Sequence, residues 1–187
     1  MPVYINYGFI KGVSREWRWG IVIIYLLAIY SFLPFAPGFW RYVLGQWGNS
    51  VDYLGFFLTS LIGTYFLLHL IFQRQVRKIS VYAAFCLISM VCLAILKYLC
   101  ITGAERFHLL MYGVLSCFVF WALKLNVKGK RVYLYTTIIT FIFGVLDEVI
   151  QGILPMRVFD IKDILMNWLS SGMGTLFIIF VLEPEIL

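Results

Sequence analysis

The sequence predicts an all-α protein, a polytopic transmembrane helix bundle of about six spans with its N and C termini in the cytoplasm. Three observations lead there. The chain is 63% hydrophobic and only 13% charged, about half the charge of a soluble domain, so it has too few polar groups to be solvated as a globule. Its apolar runs reach the roughly 20 residues that a helix needs to cross a hydrocarbon core about 30 Å thick. The connections between those runs are short, which makes neighbouring helices antiparallel.

In chain order the spans are expected at residues 19–35, 54–72, 80–100, 107–125, 132–154 and 164–182. The first is the shortest. It follows Lys11, Arg15 and Arg18 as a signal peptide would, yet no small-x-small pattern closes it, so it reads as a retained helix that ends at Pro34 and Pro37, where proline removes a donor and clashes with the preceding turn. The second carries His69 near its inner end with no acidic partner, a packing position. The third and fourth hold Cys86, Cys92, Cys100 and Cys117. With no C-x-x-C and no accompanying histidine cluster, these read as small buried hydrophobes rather than zinc ligands or disulfides. Residues 1–187 therefore read as one integral membrane domain without internal repeats. Trp17, Trp19, Trp40, Trp47 and Tyr98 fall at span boundaries, where aromatic belts form.

Lysine and arginine give the orientation. Lys11, Arg15 and Arg18 precede the first span; Arg74, Arg77 and Lys78 follow the second; Lys124, Lys128, Lys130 and Arg131 follow the fourth. The other side has only Arg41, Lys97, Arg106, Arg157 and Lys162. The positive-inside rule then puts the connections around Glu105 and Arg157 on the extracytoplasmic face. The net charge of +6 is explained by this topology and by anionic lipid, and no nucleic-acid partner is implied.

Four of the nine carboxylates sit in one stretch, VLDEVIQGILPMRVFDIKDILMNW. At about 100° per residue, Gly144, Asp147, Glu148 and Gln151 share one face of the fifth span. Asp163, Asn167, Ser170, Ser171 and Gly174 share a stripe on the sixth. Small residues admit close backbone approach and polar ones find partners across the seam, so the two helices are expected to pack through these stripes as a hairpin turned at Pro155. Arg157 in that turn suits a carboxylate or an incoming anion. On the fourth span His108 and Tyr112, four residues apart, face the same neighbour. Ionisable groups inside spans are costly and are functional candidates by default. The alternative is a structural network at a helix end, and Asp147 and Asp160 in particular read more readily as solvated neighbours.

Written as a spacing, the stretch is E-x2-Q-x5-R-x5-D-x3-N-x6-G, from Glu148 through Gln151, Arg157, Asp163 and Asn167 to Gly174, preceded by HLLMY with His108 and Tyr112. Over about residues 105–182 this resembles the VanZ-like family. Ala104 and Glu105 stand where that family often has an Asp-Lys pair, and Ser170 where a first glycine is common. The resemblance implies a multi-pass protein of the bacterial cytoplasmic (inner) membrane, in a family whose namesake is associated with low-level teicoplanin resistance.

Three functions are consistent with these residues. The first is an outer-face protein that binds or modifies a cell-envelope amphiphile, a lipid-linked cell-wall or polysaccharide precursor, through Gln151, Arg157, Asp163, Asn167 and Tyr112, with membrane lipid as its surroundings. The second is an intramembrane hydrolase or transferase with Glu148 and His108 as the acid-base pair. The third is a small transporter component, which the lack of a charged pair at the midplane disfavours. No H-E-x-x-H or G-x-S-x-G occurs, and no cofactor is indicated. No metal site is assigned either: a hard cation held by Asp147, Glu148, Asp163 and Asn167 has suitable oxygen ligands but no loop template.

Overall fold

A computed structural model describes residues 14–100, 103–155 and 157–183; Lys11 and the extreme termini that entered the orientation argument lie outside them. Every regular element among the described residues is helical: α1 (Arg15–Phe32), α2 (Ala36–Trp47), α3 (Leu54–Leu68), α4 (Ile79–Tyr98), α5 (Gly103–Leu123), α6 (Arg131–Ile153) and α7 (Ile161–Phe177). A 3₁₀ segment, Gly48–Tyr53, leads into α3, and π turns at His69–Gln73 and Ile178–Leu182 extend α3 and α7.

Five helices are individually long and apolar enough to cross a membrane: Leu54–Gln73, Ile79–Tyr98, Glu105–Leu123, Arg131–Ile153 and Ile161–Leu182. They fall within a few residues of the second to sixth expected spans. The first span differs. Arg15–Phe32 carries Arg15, Glu16 and Arg18 in its opening turns, and it passes the same test only together with Ala36–Trp47, from which it is bent by 69°. That second rod was not anticipated. Pro34 and Pro37 do break the helix, but Pro37 also lies in the first turn of α2, where its missing N–H costs nothing because those amides are orphans anyway.

The centre of the bundle is α5, with α7 and α6 packed on it and α1 outside. Half of the α5 span is buried, against 11% of the α3 span, so α3 presents its apolar surface outward, as a lipid-facing helix does. Close contacts at one glycine bring α5 and α7 together. A Cβ on Gly174 would lie 2.9 Å from the Gly113 carbonyl oxygen and 2.9 Å from Ser116 Cβ. Gly174 thus packs on α5, whereas the shared stripe assigned it to the α6 seam. The α6–α7 seam itself closes one level higher, where a Cβ on Gly144 would lie 2.6 Å from Asn167 Cβ.

α6 stops at Ile153. Leu154 is extended (φ −75°, ψ 135°), the conformation that the ring of the following Pro155 imposes on its predecessor. α7 restarts at Asp160, whose side chain accepts from the Lys162 amide at 2.8 Å, a helix N-cap. Asp160 is therefore a capping residue with an exposed side chain.

Basic residues secure the opposite end of the bundle. Arg18 Nη1 donates to the Trp121 carbonyl at 3.0 Å and stacks over its ring, Arg74 Nη1 donates to Leu182 O at 2.9 Å, and Lys124 Nζ pairs with Glu183 Oε1 at 2.5 Å. His69, expected to be a satisfied packing residue, stacks on Tyr65 but leaves its buried Nδ1 without a partner.

Candidate functional site

One face of α6 is polar along most of its length. Thr136, Thr140, Gly144, Asp147, Glu148 and Gln151, which share one helical face, are all buried, and they face α5 and α7 instead of lipid. The threonines satisfy themselves locally where they can: Thr136 Oγ1 donates to Val132 O at 2.8 Å. The carboxylates and amide above them need partners from other helices, since hydrocarbon offers none.

Asn167 of α7 supplies the first link. Its Nδ2 donates to the Gly144 carbonyl at 3.0 Å, and its Oδ1 is 2.8 Å from Nδ1 of His108 on α5. A peptide carbonyl only accepts, so the amide must turn its NH2 to Gly144 and its oxygen to the histidine. The proton of neutral His108 therefore sits on Nδ1, and Nε2 keeps its lone pair. One side chain of α7 joins the backbone of α6 to the imidazole of α5.

His108 gathers the acids. Ligating atoms of His108, Asp147 and Glu148 lie within 4.8 Å of one another, and all three residues are buried. Gln151 Nε2 donates to Asp147 Oδ2 at 3.2 Å and to Glu148 Oε1 at 2.8 Å, and the backbone amide of Asp160 reaches back to Glu148 Oε2 at 3.2 Å. Arg157 donates from Nη2 to the Gln151 oxygen. The arginine thus grips the amide, and the amide in turn bridges both carboxylates. Tyr112, one turn below His108 and stacked with it, is fully buried with its hydroxyl beside Asp147.

Six of the seven residues singled out from sequence, His108, Tyr112, Glu148, Gln151, Arg157 and Asn167, meet in this cluster. Asp163 is half-buried in the first turn of α7 and takes no part in the side-chain hydrogen bonds that join it. Arg157, which suited either a carboxylate or an incoming anion, contacts the Gln151 amide. Asp147, which read more readily as a solvated neighbour, has no exposed surface at all; its place on the shared arc of α6 was the available signal. Arg106 is turned aside, its Nε donating to Leu96 O at 3.3 Å and its guanidinium lying over Phe56.

The four cysteines are free. Between α4 and α5, burial pushes the Cys100 thiol up to about 11, which leaves it protonated and unreactive. A cavity of about 460 Å³ opens among α3, α4, α5 and α7, lined by residues such as Gly63, Phe85, Gly113 and Phe177. It shares no residue with the polar cluster, and α5 and α7 contribute different faces to the two.

Apolar-faced helices around a buried polar cluster of acids, amides and one imidazole define a multi-pass membrane protein. The VanZ/LLP1 family model matches residues 21–182, most of the chain, and the protein belongs to that family. The match reaches well N-terminal of the motifs quoted above and takes in most of α1 and all of α2 to α4. No curated protein and no solved structure matches the chain.

Proposed function

We propose that this protein binds, and in one version modifies, the anionic headgroup of a cell-envelope amphiphile, a lipid-linked cell-wall or polysaccharide precursor, at the extracytoplasmic face of the bacterial cytoplasmic membrane. The orientation rests on the distribution of lysine and arginine. Arg157 is the observation that carries the reading. It sits half-buried in the α6–α7 connection and spends one of its five donors on Gln151. The rest of a planar fork suited to phosphate is available at the rim of the cluster. Below it, Gln151, Asn167 and Tyr112 offer the amide and hydroxyl groups that recognise a sugar or pyrophosphate, while the tail of the amphiphile stays in lipid. In this reading teicoplanin susceptibility is the phenotype to follow, because that drug targets the same class of precursor.

A second reading, an intramembrane hydrolase or transferase, draws on the approach of His108 to Glu148. A neutral imidazole with a free Nε2 beside a carboxylate is an acid-base pair in form.

Native mass spectrometry of the full-length protein in detergent tests the proposal. A retained polyprenyl phosphate or phospholipid adduct that disappears in Arg157→Ala is the expected result. No adduct, or one held equally by Arg157→Ala, would overturn it.

A further inference from the structure

We infer that His108, Asp147 and Glu148 bind one divalent first-row transition-metal cation. The inference goes beyond the headgroup reading and holds whatever amphiphile is bound.

Charge is the first reason. Asp147 and Glu148 are adjacent, fully buried carboxylates, and among the described residues no lysine or arginine forms an ion pair with either. Arg157, the nearest cation in the turn, is separated from them by Gln151. A carboxylate buried without a cation either takes up a proton or coordinates a metal, because the isolated charge is prohibitively costly, and among its described residues the protein supplies neither acid with a lysine or arginine partner.

Orphaned atoms are the second, independent reason. Asp147 Oδ1 and the Tyr112 hydroxyl are both fully buried, and outside their own contact with each other neither has a hydrogen-bond partner. The carboxylate oxygen therefore keeps unused acceptor capacity beside the histidine. Native interiors rarely leave such atoms unsatisfied, and an ion is one of the few occupants that satisfies several at once.

Geometry is the third. The ligand atoms of His108, Asp147 and Glu148 are no more than 4.8 Å apart. A triangle of that edge places each atom about 2.8 Å from its centre, so bonds of ~2.0–2.2 Å need each to move inward by only about 0.7 Å. The imidazole is prepared for this: Asn167 holds its Nδ1 proton at 2.8 Å, which leaves Nε2 to ligate. An outer hydrogen bond of that kind fixes the tautomer and orientation of metal-bound histidines. Asn167 is thus a positioning residue, itself held by the Gly144 carbonyl.

The donor set selects the ion. One imidazole nitrogen with two carboxylates suits zinc, manganese or iron, whereas magnesium and calcium prefer oxygen alone. Three protein ligands leave a position for water or for an oxygen of the headgroup.

The full-length protein in detergent, stripped with chelator, is equilibrated separately with Zn2+, Mn2+ and Co2+, and bound metal is measured by elemental analysis. About one ion per chain is expected, with a rise in Tm on binding and a Co2+ spectrum showing visible ligand-field bands without thiolate charge transfer. Asp147→Asn and Glu148→Gln keep shape and monodispersity, and each should weaken binding by at least about tenfold; Asn167→Leu should weaken it about 10–100-fold. The site is refuted if the wild-type chain binds none of the three ions. It is also refuted if both isosteric variants bind as tightly as wild type, or if the cobalt spectrum is that of cysteine ligands.

Discussion

Asn167 determines which nitrogen of His108 carries the proton. It reaches across from α7 with its oxygen 2.8 Å from Nδ1 while its NH2 is committed to Gly144 at 3.0 Å. That two-sided grip ties α5, α6 and α7 together through a single amide.

Replacing that amide should loosen the core without emptying it. Asn167→Leu strands the Gly144 carbonyl and the His108 Nδ1 proton, at a cost of about 1–2 kcal/mol for the interhelical bonds. Asn167→Asp keeps the volume but presents an acceptor to an acceptor, so it should destabilise at least as much. Unfolding midpoints in SDS titrations measure both. Midpoints within error of wild type for the aspartate variant would mean that the amide does not hold Gly144.

Two glycines on different helices should respond oppositely to the same change. Gly144→Ala puts a methyl 2.6 Å from Asn167 Cβ, and two rigid backbones must separate, an overpacking cost of about 1–3 kcal/mol. Gly20→Ala meets nothing within 4 Å and should be neutral or stabilising by up to ~1 kcal/mol from helix propensity. Thermal melts in detergent compare the pair directly.

The rim arginine and the buried acid should separate function from folding. Arg157→Ala removes a half-exposed side chain, and Glu148→Gln removes a buried charge while keeping its shape. Both should leave membrane abundance unchanged while abolishing any effect of the protein on teicoplanin susceptibility. Immunoblots of membrane fractions alongside susceptibility assays decide between this and a structural network, in which abundance falls with the phenotype.

Orientation is open to a direct test. In the α6–α7 connection Val158 is 82% exposed; a Val158→Cys variant should react with a membrane-impermeant maleimide in intact cells. Lys128→Cys, in the basic connection before α6, should react only after permeabilisation. The native cysteines, Cys86, Cys92 and Cys117 within α4 and α5 and the buried Cys100 between them, serve as the background measured in the unsubstituted protein, and the reversed pattern would put the cluster on the cytoplasmic side.

Much of the fold was legible because the bilayer makes one demand, about 20 apolar residues per crossing, and the sequence meets it five times with little ambiguity. It is least legible at residues 15–47, where charges in the opening turns of α1 and two prolines divide the segment into α1 and α2 at a 69° bend. The polar faces of α6 and α7 were legible for an equally simple reason: helical periodicity lines up Asp147, Glu148 and Gln151, and separately Asn167 with Ser171.

Periodicity names a face, however, and a face on a packed helix has two neighbours. Only the tertiary structure decided that Gly174 abuts Gly113 and Ser116 on α5 while Asn167 abuts Gly144 on α6, because close approach depends on small residues coinciding in space on helices far apart in sequence. For the same reason sequence alone left Asp147 ambiguous between water and interior. Its burial is set by the approach of α5, which places Tyr112 and His108 over it, and by Gln151, which stands between it and the arginine that proximity in sequence had offered as its partner.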